Sequence, residues 1–269
     1  MNFIDRPFVD VRVRWQPSHR CSSHTIGPRL PAFLFAVLFG LVAIGLGGCG
    51  SSDRGQGYAD RPPTNRTALV AWQEWTRFGR STVVYGGAAR GYINRSGMSE
   101  RSEPLSSRVG DYWGSCGHPE WNGRTSTRPW SGAFVSWVMA QSGVSAAAFP
   151  RAGRHGQYLA ALYDNQHRGR ASFALHAPNE YAPKPGDLVC SGTAGPTWRH
   201  ADSRMARRRI DTTASHCDVV TDIRGGFIHA IGGNVKDSVT MTLYPADSRG
   251  RLAPTPGRIW MMVVENRAT

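Results

Sequence analysis

Apolar positions recur every three or four residues from Thr67, at Ala68, Leu69, Trp72, Trp75 and Phe78, and stop before Gly79, which predicts an amphipathic helix. The chain then turns Gly-, Ser- and Arg-rich until Val109-Gly-Asp-Tyr-Trp113, and residues 114–128 read as irregular loop. Pro129 opens the strongest helical segment, Trp130 to Ser142, which Gly143 closes. A second helix is expected from Gly156 to Asn165. After Pro183-Lys-Pro-Gly186 the pattern changes to short β-like runs, predicting strands at 187–191, 216–223, 226–231, 238–244 and 259–264. Helices followed by strands predict an α+β domain, with N-terminal helices packed on a small antiparallel sheet. No internal repeat is visible.

The first fifty residues follow a different pattern. No charge occurs from Leu30 to Ser52, and the apolar run from Ala32 to Leu46 follows Arg12, Arg14, Arg20 and Arg29. This is the basic and apolar build of an export signal. It ends in Leu46-Gly47-Gly48-Cys49, which resembles the lipobox of bacterial lipoproteins. The resemblance implies cleavage before Cys49 and acylation of its thiol. The alternative is a single membrane-spanning anchor, since the run approaches the roughly 20 residues that cross a bilayer. The long segment ahead of the run points to a start codon downstream of Met1. Residues 50–64 are rich in Gly, Ser, Asp and Pro without periodicity and read as a tether. The expected organisation is therefore a signal at 1–48, a tether at 49–64 and a single domain at 65–269, held in the bacterial cell envelope and facing the periplasm.

Export changes how charge and cysteines are read. The chain carries 32 Lys and Arg against 19 Asp and Glu, and only Lys184 and Lys236 are lysines. Residues 1–48 hold five of the arginines and two of the aspartates, so the processed chain stays strongly basic. In the envelope that charge meets anionic polymer or lipid rather than nucleic acid. Cys116, Cys190 and Cys217 would remain in an oxidising compartment, where three thiols allow at most one internal bridge. Cys190 to Cys217, between expected neighbouring strands, is the preferred pair, which leaves Cys116 as the spare thiol.

The chemistry-bearing segments lie between residues 129 and 237. Pro129-Trp-Ser-Gly-Ala-Phe-Val-Ser-Trp-Val138 resembles the Pro-Trp-Cys-Ala-Ala-Phe-Val-Ser-Trp motif around the nucleophile of papain-like cell-wall hydrolases, the CHAP and NlpC-type families. Pro185-Gly-Asp-Leu-Val189, Ser215-His216 and Ile231-Gly-Gly-Asn234 resemble the strand segments that follow in those families, in the same order. The chain is similar more closely still to a related bacterial family of unknown function in which the Cys position also reads Ser. The resemblance implies a papain-like fold and a murein stem-peptide substrate, with Ser131 attacking, His216 as base and Asn234 orienting the imidazole; no cofactor is expected. Physically, a nucleophile at a helix N-terminus feels the positive end of the macrodipole. A serine depends wholly on its base, and an Asn-oriented imidazole lacks the negative charge that an Asp supplies. Asp218 and Asp237 would change that balance if either faced His216. Two functions are therefore carried forward: a lipid-anchored hydrolase of amide or peptide bonds in peptidoglycan, and a non-catalytic envelope-binding or scaffold lipoprotein on the same fold.

Other residues are candidates for contacts. Trp130, Trp113 and Arg207 are expected to touch substrate, Trp113 from a loop and Arg207 from the basic insertion Arg199 to Arg209. Cys217 as nucleophile is disfavoured because adjacent side chains on a strand face opposite ways. Cys116, with His118 two residues away, is a conceivable rescue nucleophile. His155, His167, His176, His200 and His229 show no metal-binding spacing, and the glycines at 79, 86, 87 and 91 match no phosphate loop.

Overall fold

A computed structural model describes residues 61–86, 89–94, 98–169 and 172–269. The export signal, Cys49 and all but the end of the tether lie outside those residues. Pro62–Thr269 belongs to one compact unit. Its order is α1 (Arg66–Arg77), β1 (Ser81–Gly86), β2 (Ala89–Asn94), α2 (Leu105–Gly114), α3 (Ser131–Gln141), α4 (His155–His167), β3 (Phe173–His176) and β4 (Leu188–Gly192). A 3₁₀ turn (Thr197–His200), α5 (Ser203–Thr212), β5 (Ser215–Arg224), β6 (Phe227–Gly232), β7 (Thr240–Pro245) and β8 (Trp260–Asn266) complete it. This is the α+β class that the pattern predicts.

The sheet is larger than expected and mixed. It has eight strands in the order β2-β1-β7-β6-β5-β4-β8-β3, with β1 parallel to β7 and the other neighbours antiparallel. The β1–β2 pair falls in the segment that reads as Gly- and Arg-rich, and α2 takes the place of the loop expected around Trp113. The basic insertion is also ordered: α5 starts at the Asp202 cap, whose side chain accepts from the Met205 amide at 3.0 Å. Only Ala206 and Ile210 of α5 are buried, and their i, i+4 spacing puts both on one face.

Alternation along the strands separates two cores. Leu188, Cys190, Cys217, Val219, Ile231 and Met262 belong to a cluster with residues of α1, α2, α3 and α4. Val189, Val220, Ile228, Ala230, Tyr244 and Val263 belong to a second cluster, with Val83, Tyr85 and Leu252. Cys190 and Cys217 are register partners on β4 and β5 and are joined by a disulfide.

α3 is the central helix. Every residue from Ser131 to Met139 is buried, so it is apolar around its whole circumference rather than amphipathic. Its first turn lies against the segment before α4: a Cβ added at Gly132 would sit 2.4 Å from the Gly153 carbonyl oxygen. Only a glycine permits this approach, which brings the starts of α3 and α4 together.

Candidate active site

Ser131 is the first residue of α3, and the Trp130 side chain does not cap the helix. Among the described residues the amides of Ser131, Gly132 and Ala133 have no hydrogen-bond acceptor. They provide donors and a positive dipole end at the serine.

The Ser131 hydroxyl is 2.7 Å from His155 Nε2, at the start of α4. One turn on, the Tyr158 hydroxyl lies 2.5 Å from His155 Nδ1. Nδ1–H donating to Tyr158 leaves Nε2 free to accept from Ser131, the arrangement a base requires. Burial, and after it the neighbouring His216, push the His155 pKa well below the ordinary histidine value, while Asp218 works the other way. His155 is therefore neutral. Burial also raises the Tyr158 pKa, so Tyr158 is a neutral partner and brings no carboxylate-like charge.

The site's negative charge comes from β5. His216 and Asp218 are two residues apart on that strand and share a face, and His216 Nε2 lies 2.7 Å from Asp218 Oδ1. The Tyr244 hydroxyl donates to Asp218 Oδ2 at 2.6 Å. Burial alone would raise the Asp218 pKa, but His216, Arg258 and Tyr244 bring it down to about 2. Asp218 is an anion at every physiological pH. The His216 ring meets the His155 ring edge-on, with centroids 5.3 Å apart. A Cβ added at Gly232 would lie 1.8 Å from Asp218 Oδ1 and 2.9 Å from His216 Nε2, so β6 leaves this space by glycine alone.

The expected constellation is thus reorganised. Ser131 bonds His155, not His216. His216 bonds Asp218, not Asn234. Asn234 is in the turn after β6 with a left-handed backbone (φ 58°), and no side-chain hydrogen bond joins it to His216. Nothing local in the sequence marks His155 as the partner of Ser131. The approach of the α4 start to the α3 start that makes it a partner is tertiary and leaves no local motif. Of the two carboxylates that the sequence leaves open, Asp218 and Asp237, it is Asp218 that shares a strand face with His216 and bonds it.

Three expected substrate contacts are placed elsewhere or otherwise engaged. Trp130 is 2% exposed, packs against Phe78, Tyr112 and Phe134, and donates its indole N–H to Glu100. Trp113 is 3% exposed, on α2, with Trp121 against its ring. Both are core residues because aromatic area is buried here, not displayed. Arg207 is on the surface of α5, where its Nε donates to Asp164 at 2.8 Å. Cys116 is half-buried beside a cavity of about 340 Å³ that Arg151 and Tyr158 also line, and burial raises its pKa, which disfavours the thiolate. A groove of about 1370 Å³ is lined by residues of α1, α2 and α3, including Arg66, Arg77 and Trp137, but by none of the four site residues. Among the described residues no cluster of His, Cys, Asp and Glu has the make-up of a metal site.

The segment that carries Ser131, His155, His216 and Asp218 matches a family model over residues 99–266. The chain belongs to the family described as uncharacterized protein conserved in bacteria (DUF2272). The DUF2272 match begins before α2 and ends at the last residue of β8, so it includes the whole candidate site and leaves α1, β1 and β2 outside. No curated protein and no solved structure matches the chain.

Proposed function

We propose that this DUF2272 chain is an envelope lipoprotein whose papain-like domain hydrolyses amide or peptide bonds of peptidoglycan with a serine in the nucleophile position. The observation that carries the reading is the 2.7 Å contact between Ser131 Oγ and His155 Nε2 at a helix start with uncapped amides. In the proposed reaction the Ser131 proton passes to His155 Nε2 as Oγ bonds the carbonyl carbon. The displaced electron pair forms an oxyanion facing the first-turn amides, each such donor contributing about 3–4 kcal/mol in well-studied enzymes. When the C–N bond breaks, the leaving nitrogen takes the proton from His155, and water then hydrolyses the acyl-serine. Asp218 is the charge that favours the transient imidazolium, because its effect on His155 is attractive. The Cys49 lipid and the basic chain would hold the domain against anionic envelope polymer.

A second reading is favoured by one observation: Ser131 is 7% and His155 4% exposed, and burial weakens His155 as a base. On that reading the domain binds or scaffolds the envelope without turnover. The two separate in one experiment on the full chain in detergent, incubated with murein sacculi and 4-nitrophenyl esters. The hydrolase reading expects product that Ser131→Ala abolishes and that His155→Gln lowers by about 10²- to 10⁴-fold. Sacculi pulled down without product, by the parent and by Ser131→Cys alike, would leave the binding module. Product unchanged in Ser131→Ala would remove Ser131 from the chemistry.

A further inference from the structure

Arg258 is unlike the surface arginines of this chain. It is partly buried, at the end of the Thr255-Pro256-Gly257-Arg258 turn, where the Arg258 amide donates to the Thr255 carbonyl at 3.0 Å and Gly257 has a φ of 73°. The turn fixes where the side chain starts. Its Nε donates to the Tyr85 hydroxyl at 3.2 Å and its Nη1 to Ser191 Oγ at 3.1 Å. The guanidinium lies 5.6 and 5.7 Å from the Tyr85 and Tyr244 ring centroids, which are stacked on one another.

Both hydrogen-bond partners are hydroxyls. A guanidinium has five N–H donors in a planar fork, so donors remain here that no carboxylate among the described residues takes. The Asp218 charge acts on Arg258, but its two oxygens are occupied by His216 and Tyr244, and it is 2% exposed. A chain of neighbours links Arg258 to the serine. Ser191, its hydroxyl partner, is the register neighbour of His216, whose ring touches that of His155, the partner of Ser131.

We propose that Arg258, with the Ser191 and Tyr85 hydroxyls, is a subsite for a free carboxylate of the substrate. The bond presented to Ser131 then belongs to a molecule that carries a terminal or side-chain carboxylate. The assignment of that carboxylate to a substrate rests on the hydrolase reading; the binding preference does not. A planar fork with N–H groups left over matches a carboxylate in bidentate geometry, and the two tyrosine rings lie within cation–π range of the guanidinium.

The test is a titration of the full chain in detergent, bearing Ser131→Ala so that nothing is consumed. N-acetyl-alanyl-alanine is compared with its C-terminal carboxamide by calorimetry. The acid should bind about tenfold to a hundredfold more tightly than the amide, the range of a hydrogen-bonded charge. Arg258→Gln should bring the acid to the level of the amide and leave the amide unchanged. Arg258→Lys, which keeps the charge and guards against a folding defect, should retain part of the preference. Equal binding of acid and amide, absence of acid binding, or an equal loss for both probes in both variants would overturn the subsite. If the preference is found but the parent hydrolyses nothing, the subsite stands and the hydrolase reading falls. If the parent hydrolyses esters through Ser131 without the preference, the reverse holds.

Discussion

Asp218→Asn removes the one buried charge beside both histidines and keeps the shape of the side chain. In the folded chain the carboxyl is brought from the ordinary 3.8 to about 2, against the effect of burial, by His216, Arg258 and Tyr244. At 1.36 kcal/mol per pKa unit, that drop is worth about 2 kcal/mol of folding stability. The sign follows from the direction: a carboxyl depressed by folding stabilises above its unfolded value and loses that contribution as the pH falls through its folded value. Asp218→Asn should therefore be about 2 kcal/mol less stable than the parent at neutral pH, and the gap should close between about pH 4 and about pH 2. Urea unfolding of the full chain in detergent, followed by tryptophan fluorescence at a series of pH values, measures this directly. A gap of the same size below pH 2.5, or none at pH 7, would refute the argument that the charge, rather than the shape, organises the site.

Three further outcomes are expected. Gly232→Ala places a methyl group 1.8 Å from Asp218 Oδ1, so it should cost roughly 1–3 kcal/mol of stability and shift the His216 ring resonances in an NMR spectrum; unchanged resonances would count against the packing. Reducing the Cys190–Cys217 disulfide, which closes a separation of 27 residues, should lower stability by about 3–4 kcal/mol, read as a shift in the urea midpoint; an unmoved midpoint would contradict it. His155 is held neutral by burial, so its unfolded form binds a proton first and stability should fall as the pH drops below about 6.5. His155→Gln should flatten that fall by one proton's share, and an identical slope in parent and variant would show that His155 is not buried neutral.

What the chain reveals before folding depends on whether an element's signal is local. α3 and α4 were legible within two residues because Pro129 and Gly143 punctuate the first and apolar spacing marks the second. α5 was hidden because Arg204, Arg207, Arg208 and Arg209 outweigh the two residues it buries. α2 lacks a side-chain cap and contains Gly110, so neither start signal nor propensity announced it. β1, with Val83, Val84 and Tyr85 in succession, has strand composition but sits among glycines and arginines, and its partner β7 is more than 150 residues away. The site divides the same way. Ser131 is recognisable from the motif that begins at Pro129, whereas Asp218 and Asp237 stay open alternatives in the sequence and only the fold pairs Asp218 with His216. His155 became a partner only through the contact of two helix starts, which no spacing along the chain records.

The position of β8 bears on how the chain folds. This strand, Trp260–Asn266, is inserted between β4 and β3, and β3 has no other neighbour in the sheet. β1 likewise joins the rest of the sheet only through β7. Neither flank can therefore settle until segments far along the chain have formed, and the loop entropy of those distant pairings must be met before they reward it. A chain halted before β8 would leave the β4 and β3 edges that β8 joins open, with nothing between them.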